Sequence, residues 1–347
     1  MAAALQPILS AGIATPAPLQ TTILSQPAPP PCLIVNPLSF RASRGLASVA
    51  RDIAAAQGVE IVSVDGPETL ERAVDNILAR RQSQVIILAG DGTVRAIIDQ
   101  LASLPAGSWL PDLLVLPGGR TNLIAADLTP GWKAIALLND ALQKIATQRW
   151  EHAVTERAVL RIEQTGAPTL HGFWIGGALV DGVIRRTHQH RASGHGALRT
   201  GHLSTVAALL KIIGQALLGH SGLSAPRLQL NADAGRQAME GKVALLVATT
   251  LLHRKGWFDP YVSRAAGGMR LTAVASHANA FWRRLPRLLS GRFSPDMDAS
   301  AGYLSGSFAQ AEITGLHGYS LDGEAYETDP SATITLRRGA NLRFFTS

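Results

Sequence analysis

Apolar and polar positions follow two different patterns along this chain. Between Cys32 and about Trp150, short unbroken apolar runs alternate with segments whose apolar residues recur every three or four positions. The runs "CLIVNP", "VEIVSV", "QVIILAG" and "DLLVLP" predict strands buried on both faces, as in a parallel sheet covered by helices. "RGLASVARDIAAAQG", closed by Gly58, "PETLERAVDNILARR", opened by Pro67, and a segment from about Thr93 to Leu104 predict the intervening helices. A short helix follows "GGRTN". The order βαβαβα predicts an N-terminal parallel α/β domain.

Beyond about Trp150 the period shortens. "RAVLRIEQ", "LHGFWIGG", "PRLQLNAD", "KVALLVATT", "MRLTAV", "YLSGSFAQAEITG" and "SATITLRR" are short alternating segments separated by Gly, Asp and Asn turns, the pattern of a mainly antiparallel β-sandwich. One helix, "LSTVAALLKIIGQALLG", is apolar over most of its circumference. Residues 1–31, rich in Ala, Pro, Thr and Gln, show neither period and are expected to form a disordered leader. The expected organisation is a leader over 1–31, an α/β domain over 32–149 and a β-rich domain over 150–347.

Composition narrows the class. With 347 residues, 46% of them hydrophobic, the chain can bury a large core. The single cysteine, Cys32, has no internal disulfide partner, so nothing points to an oxidising compartment, and a cytoplasmic setting is expected. No apolar run is long enough to span a bilayer. The net charge of +7 is unevenly placed: residues 1–150 hold 11 basic and 11 acidic residues, whereas residues 185–292 hold 16 basic against three acidic. Such a field favours phosphates or the anionic inner face of a membrane. Nucleic acid is not among the expected partners; a homodimer is compatible with the sequence.

Candidate chemistry lies where the strands end. "VIILAGDGTVRAIIDQLA" runs from a strand through Gly90-Asp91-Gly92-Thr93 into a helix, and "LLVLPGGRTNLIAADL" repeats the design one βα unit later with Gly118, Gly119, Arg120, Thr121 and Asn122. Ligands bind at the carboxyl ends of parallel strands, where loop N–H groups and helix N-termini converge. Gly90 and Gly92 permit close backbone approach, and Thr93 is suited to cap the helix and donate to phosphate. Asp91 is the odd member, because a carboxylate beside phosphates is repulsive unless a cation lies between them. Arg120 suits bidentate phosphate contact, and Asn122 suits a base, a ribose or a metal-bound water. A third strand-end loop, "IVNPLSF", carries Asn36, Pro37 and Ser39.

With these pieces in order, the chain resembles the diacylglycerol kinase catalytic-domain family, which includes bacterial lipid kinases and sphingosine kinases and is related to NAD kinases. The resemblance rests on "IVNPLSF", "AGDGTVRAIIDQL", "PGGRTN", "IGGALVDGVIR" and "LDGEAYE". It implies ATP-dependent, magnesium-assisted phosphorylation of a diacylglycerol-like or sphingoid lipid hydroxyl in a cleft between the two domains, the first binding nucleotide and the second the lipid substrate. Asn36, Ser39, Asp65, Gly90, Asp91, Gly92, Thr93, Gly119, Arg120, Thr121 and Asn122 would hold the nucleotide, Asp91 with the metal. Glu324 is the first choice for the base that takes the hydroxyl proton, and Asp322 for a metal-binding or orienting group. The alternatives are an NAD kinase-like enzyme and a non-catalytic nucleotide- or lipid-binding protein.

The sequence departs from the family pattern in four places. Ala89 replaces the first Gly of Gly-Gly-Asp-Gly-Thr, Phe40 stands where Gly usually follows Asn-Pro-x-Ser, Arg120 takes a usual Thr position, and Leu123 a usual Asp position. "SRAAGGMRLTAV" lacks the carboxylates with which many bacterial members bind a structural magnesium, so no such second metal is expected. "AFWRRLPRLLSGRF" has the composition of an interfacial segment or of a helix packed on the β domain, with Pro286 expected to break or kink it. His188, His190, His195 and His202 fit no compact zinc spacing and are expected in a basic loop near the cleft.

Overall fold

The computed structural model describes residues 29–120, 122–182, 184–185, 224–252, 259–262 and 268–346. The expected leader (up to residue 28), the apolar helix near residue 210, the four histidines and Thr121 lie outside the described residues.

Four short strands build the first half: β1 (Cys32–Val35), β2 (Glu60–Ser63), β3 (Gln84–Ala89) and β4 (Asp112–Pro117). They pair in parallel in the order β4–β3–β1–β2. The apolar runs of β1, β3 and β4 are buried on two sides, whereas β2, at the sheet edge, is only partly buried, short of the burial expected for it. Ile34, Ile87 and Val115 face one core, together with α2 (Pro67–Arg80) and α3 (Asp91–Ala102). Leu33, Leu88 and Leu114 face a second core, with α1 (Leu46–Ala56) and α5 (Ala134–Ala146). In α3 the buried Val94, Ile97, Ile98 and Leu101 form one helical stripe. The short α4 (Leu123–Leu128) follows the second glycine loop. The sequence pattern gave no separate prediction for α5, although Leu137, Leu138, Ala141 and Leu142 provide its buried face.

The second half is an antiparallel sandwich, as expected. One layer joins β8 (Arg227–Ala232), β12 (Gln310–Thr314), β15 (Ile334–Phe345), β5 (Val154–Gln164) and β6 (Leu170–Gly172). The other joins β14 (Glu324–Glu327), β13 (Gly318–Leu321), β7 (Trp174–Ala178), the end of β9 (Gln237–Thr249), β10 (Met269–Ala275) and β11 (Tyr303–Phe308). Two of the predicted strands are each two strands: "LHGFWIGG" breaks at Phe173, between β6 and β7, and "YLSGSFAQAEITG" breaks between β11 and β12. Each break sends the chain from one layer to the other.

The two halves share one sheet. β15 runs antiparallel to β5 along its whole length, and its last residues pair in parallel with β4 at Arg343–Asp112 and Phe344–Leu113. Trp150 locks this seam: its Nε1 donates to Asp112 Oδ2 at 2.9 Å, and its ring lies 4.8 Å from that of Phe345. Cys32 is free and buried.

α6 (Phe281–Leu289) covers the outer face of the second layer with Phe281, Leu285, Leu288 and Leu289. Of the two outcomes expected at Pro286, a break does not occur: the residue lies inside the helix. The carbonyl it leaves without a donor belongs to Trp282, which is exposed.

Candidate functional site

Because β1, β3 and β4 are parallel neighbours, their carboxyl ends bring three loops to one edge. The backbone itself binds these loops together. Asn36 N–H donates to Leu88 O at 3.0 Å, and Arg41 N–H donates to Gly118 O at 2.9 Å. Asn36 Nδ2 donates to Thr93 Oγ1 at 2.8 Å. Thr93 is therefore not the cap of α3, which begins after Gly90; its hydroxyl holds the first loop against the helix. Ser39 turns inward, its hydroxyl donating to Asn36 O at 2.9 Å.

The glycines serve mainly to let backbones touch. A Cβ on Gly119 would lie 2.9 Å from Gly90 Cα, and one on Gly118 would lie 2.7 Å from Ala89 O. Gly92 differs, since a Cβ there would meet Glu324 Oε1 at 2.5 Å. The space left by Gly92 is filled by a carboxylate from the other half of the molecule.

Asp91 joins the two glycine loops. Its Oδ2 accepts the Asn122 N–H and its Oδ1 the Leu123 N–H, both at 2.8 Å. It thus caps the start of α4 from a neighbouring loop, a use of its charge that the sequence reading did not anticipate. Asn122 sits at φ +50°, and its side-chain amide is closed on its own loop: Oδ1 accepts Gly119 N–H at 2.7 Å and Nδ2 donates to Gly119 O at 3.0 Å. Asp65 lies at the end of β2 and is exposed, with Thr69 Oγ1 donating to it at 3.0 Å. Among its described contacts none joins it to the glycine loops. Arg120 is exposed and lies over the ring of Phe40, 4.2 Å from its centroid.

The remaining two carboxylates come from the β13–β14 hairpin. Leu321 pairs with Glu324, so Asp322 and Gly323 form a two-residue turn, with φ of +49° and +96° as such a turn requires. Asp322 points inward, and its carboxylate accepts the N–H groups of Phe173 at 2.9 Å and Trp174 at 2.8 Å, at the break between β6 and β7. Burial pushes its carboxyl up to about 7; the two N–H donors offset part of the rise, and the nearby Asp91 carboxylate adds to it.

Glu324 points outward and is 44% exposed. Arg95 of α3 grips its Oε2 with Nη2 at 2.6 Å and Nε at 3.0 Å, and Tyr326 hydroxyl donates to the same oxygen at 3.2 Å. Arg95 also lies 3.8 Å from Asp99, whose Oδ1 accepts the His171 N–H at 2.7 Å. Sequence reasoning missed Arg95, Tyr326, Asp99 and His171. Arg95 did carry a signal, because a charged residue on the buried stripe of an amphipathic helix requires an acidic partner.

Asp91, Asp322 and Glu324 thus meet where the halves join, with Arg95 as counter-charge. Among the described residues no cluster of three or more His, Cys, Asp or Glu could hold a metal by itself. Mg2+ does not require one, since it keeps waters and takes one or two carboxylates plus substrate phosphates. The mutual repulsion between Asp91 and the buried Asp322 is what a cation would relieve. The donor set fits a metal that arrives with a nucleotide. No described helix is long and apolar enough to cross a membrane.

Residues 30–155 match the family profile of the diacylglycerol kinase catalytic domain. A diacylglycerol kinase from Bacillus anthracis str. Sterne superposes with a TM-score of 0.57 at 16% identity, over 92% of this chain and 97% of that one. A second structure from that organism, provisionally assigned the same activity, gives 0.61 at 17% identity, over 92% and 95%. An NAD kinase from Archaeoglobus fulgidus in complex with ATP gives 0.46 at 11% identity, over 91% and 93%. Comparison with the curated proteins gives no match. The match to the diacylglycerol kinase catalytic-domain profile is thus confined to residues 30–155, while the fold of the described residues is shared with the two Bacillus structures.

Proposed function

We propose that this chain is an ATP-dependent lipid kinase that transfers the γ-phosphate to a hydroxyl of a diacylglycerol-like or sphingoid lipid. The observation that carries this reading is Glu324, a solvent-accessible carboxylate fixed by Arg95 directly over Gly92 of the nucleotide-type loop. The match of residues 30–155 to the diacylglycerol kinase catalytic domain supports it.

In this reading the three strand-end loops bind the polyphosphate through backbone N–H groups and Arg120. Asp91 is the residue that would hold Mg2+, which when bound would supply charge neutralisation on the phosphates. The lipid hydroxyl oxygen attacks the γ-phosphorus, the bond to the bridging oxygen of ADP breaks, and the hydroxyl proton passes to Glu324. Arg95 and Tyr326 orient that carboxylate. Asp322, buried behind it, holds the β6–β7 break and with it the wall of the site.

The reading places the enzyme on the anionic inner face of a membrane, with α6 as the contact. Its apolar residues are committed to the core, but Trp282 is 51% exposed and shares the outer side with Arg283 and Arg287. An exposed tryptophan flanked by arginines suits the headgroup layer.

Labelled ATP offered with a panel of lipids and with NAD tests the proposal. The expected result is label in a diacylglycerol or sphingoid lipid. Transfer to NAD and to no lipid overturns it, as does ATP binding without transfer to any acceptor.

A further inference from the structure

Two of the four departures from the family pattern touch each other. Phe40, at the end of the first loop, lies under the guanidinium of Arg120 from the second glycine loop, 4.2 Å from ring centroid to Cζ. A second guanidinium, that of Arg44, lies 3.7 Å from the centroid of the same ring. Arg44 closes a 3₁₀ turn, Ala42–Arg44, whose start is tied to the second loop by the bond from Arg41 N–H to Gly118 O. Both arginines are exposed, and neither forms an ion pair with a carboxylate among the described residues.

Two like charges on one ring repel each other. The ring offsets part of that through its π-faces and fixes both guanidinium planes, reducing the rotamer freedom lost when each forms paired hydrogen bonds. Such an arrangement is incomplete without an anion. Phe40 follows Ser39, which borders Gly90, and Arg120 follows Gly119, which packs on Gly90, so the anion this group can reach is one bound by those loops.

We infer that Phe40 is a positioning residue that presents Arg44 and Arg120 as a two-arginine clamp for the terminal phosphates of a nucleoside triphosphate. This deepens the kinase reading and rests on it for the identity of the ligand. The paired substitutions then form one device: a ring replaces a glycine so that an arginine, replacing a threonine, is held in place. The clamp also supplies positive charge to a loop that carries Leu123 where the family pattern has an acidic residue.

Calorimetric titration of the full chain with ATP, ADP and AMP tests this. Phe40→Leu, which keeps an apolar side chain but removes the ring, is expected to weaken ATP binding about five- to tenfold while leaving AMP binding unchanged. Phe40→Tyr should bind ATP as the unaltered chain does. Arg44→Gln added to Phe40→Leu should weaken it by less than the product of the two single effects, since both act through the ring. The inference is overturned if Phe40→Leu binds ATP normally, or if it loses ATP and AMP in equal proportion, which would indicate a collapsed loop. It is also overturned if Arg44→Gln and Arg120→Gln spare ATP but reduce binding to phosphatidic acid vesicles, because the clamp would then belong to a lipid headgroup. If the unaltered chain binds ATP through the clamp but phosphorylates no lipid, the inference stands and the lipid kinase reading fails.

Discussion

The glycine loops and the β13–β14 hairpin meet at one point, yet they are built in opposite ways. In the loops, geometry comes from missing side chains: Gly118 and Gly119 let one backbone rest on another. In the hairpin it comes from side chains that reach far along the chain, Asp322 to Phe173 and Glu324 to Arg95. The loops should therefore fail when atoms are added, and the hairpin when atoms are removed.

The largest effect is expected at Asp322. Asp322→Ala leaves the buried N–H groups of Phe173 and Trp174 without an acceptor, a cost of about 2–4 kcal/mol measured by urea unfolding. Asp322→Asn keeps an acceptor and should cost less. It should also remove a pH dependence. The folded carboxyl titrates at about 7 against an ordinary value of 3.8, so between those values the folded state holds a proton that the unfolded state has released. The contribution is fully present below 3.8 and is lost as pH rises to 7, so stability should fall across that window in the unaltered chain and not in Asp322→Asn. An unchanged slope in the variant would assign the titration to another group.

Next come the loops. Gly119→Ala places a Cβ 2.9 Å from Gly90 Cα, where only backbone can give way, and should cost about 1–3 kcal/mol with loss of nucleotide binding. Smaller still is Glu324→Gln. The Arg95 pair is half open to water on the Glu324 side, so its removal should cost under about 1 kcal/mol in stability, and any large loss of turnover then reports chemistry. At the bottom of the scale, Trp282→Ala with Arg283→Gln and Arg287→Gln should leave the unfolding midpoint unchanged while lowering co-sedimentation with anionic vesicles. Equal binding of the unaltered chain to neutral and anionic vesicles would remove the electrostatic argument for α6.

The same contrast explains what was legible in the sequence. Parallel strands, covering helices and glycine loops are local patterns: "QVIILAGDGT" states its own strand, its turn and its helix start. The Asp322-Gly323 pair is likewise a local signal, since Asp-Gly between two short strands favours a two-residue hairpin turn. What the carboxylates hold is not, because Arg95 and Glu324 are 229 residues apart and Asp322 and Phe173 are 149 apart. Asp91 shows the boundary well. Its place at the site followed from the motif, but its role as a cap for α4 depends on how two loops pack. The strand breaks at Phe173 and between β11 and β12 were hidden for a related reason: a chain crossing between layers keeps its apolar alternation without a turn signal.

The central claim is that Glu324, held by Arg95 over Gly92, takes the proton from a lipid hydroxyl as phosphate is transferred. The most direct measurement is the rate of labelled-phosphate transfer from ATP to lipid in anionic vesicles, for the unaltered chain and Glu324→Gln side by side, with ATP affinity measured on both. Transfer to lipid by the unaltered chain is expected, with a loss of at least about 100-fold in the variant and ATP affinity retained. Transfer at an undiminished rate by Glu324→Gln would contradict it.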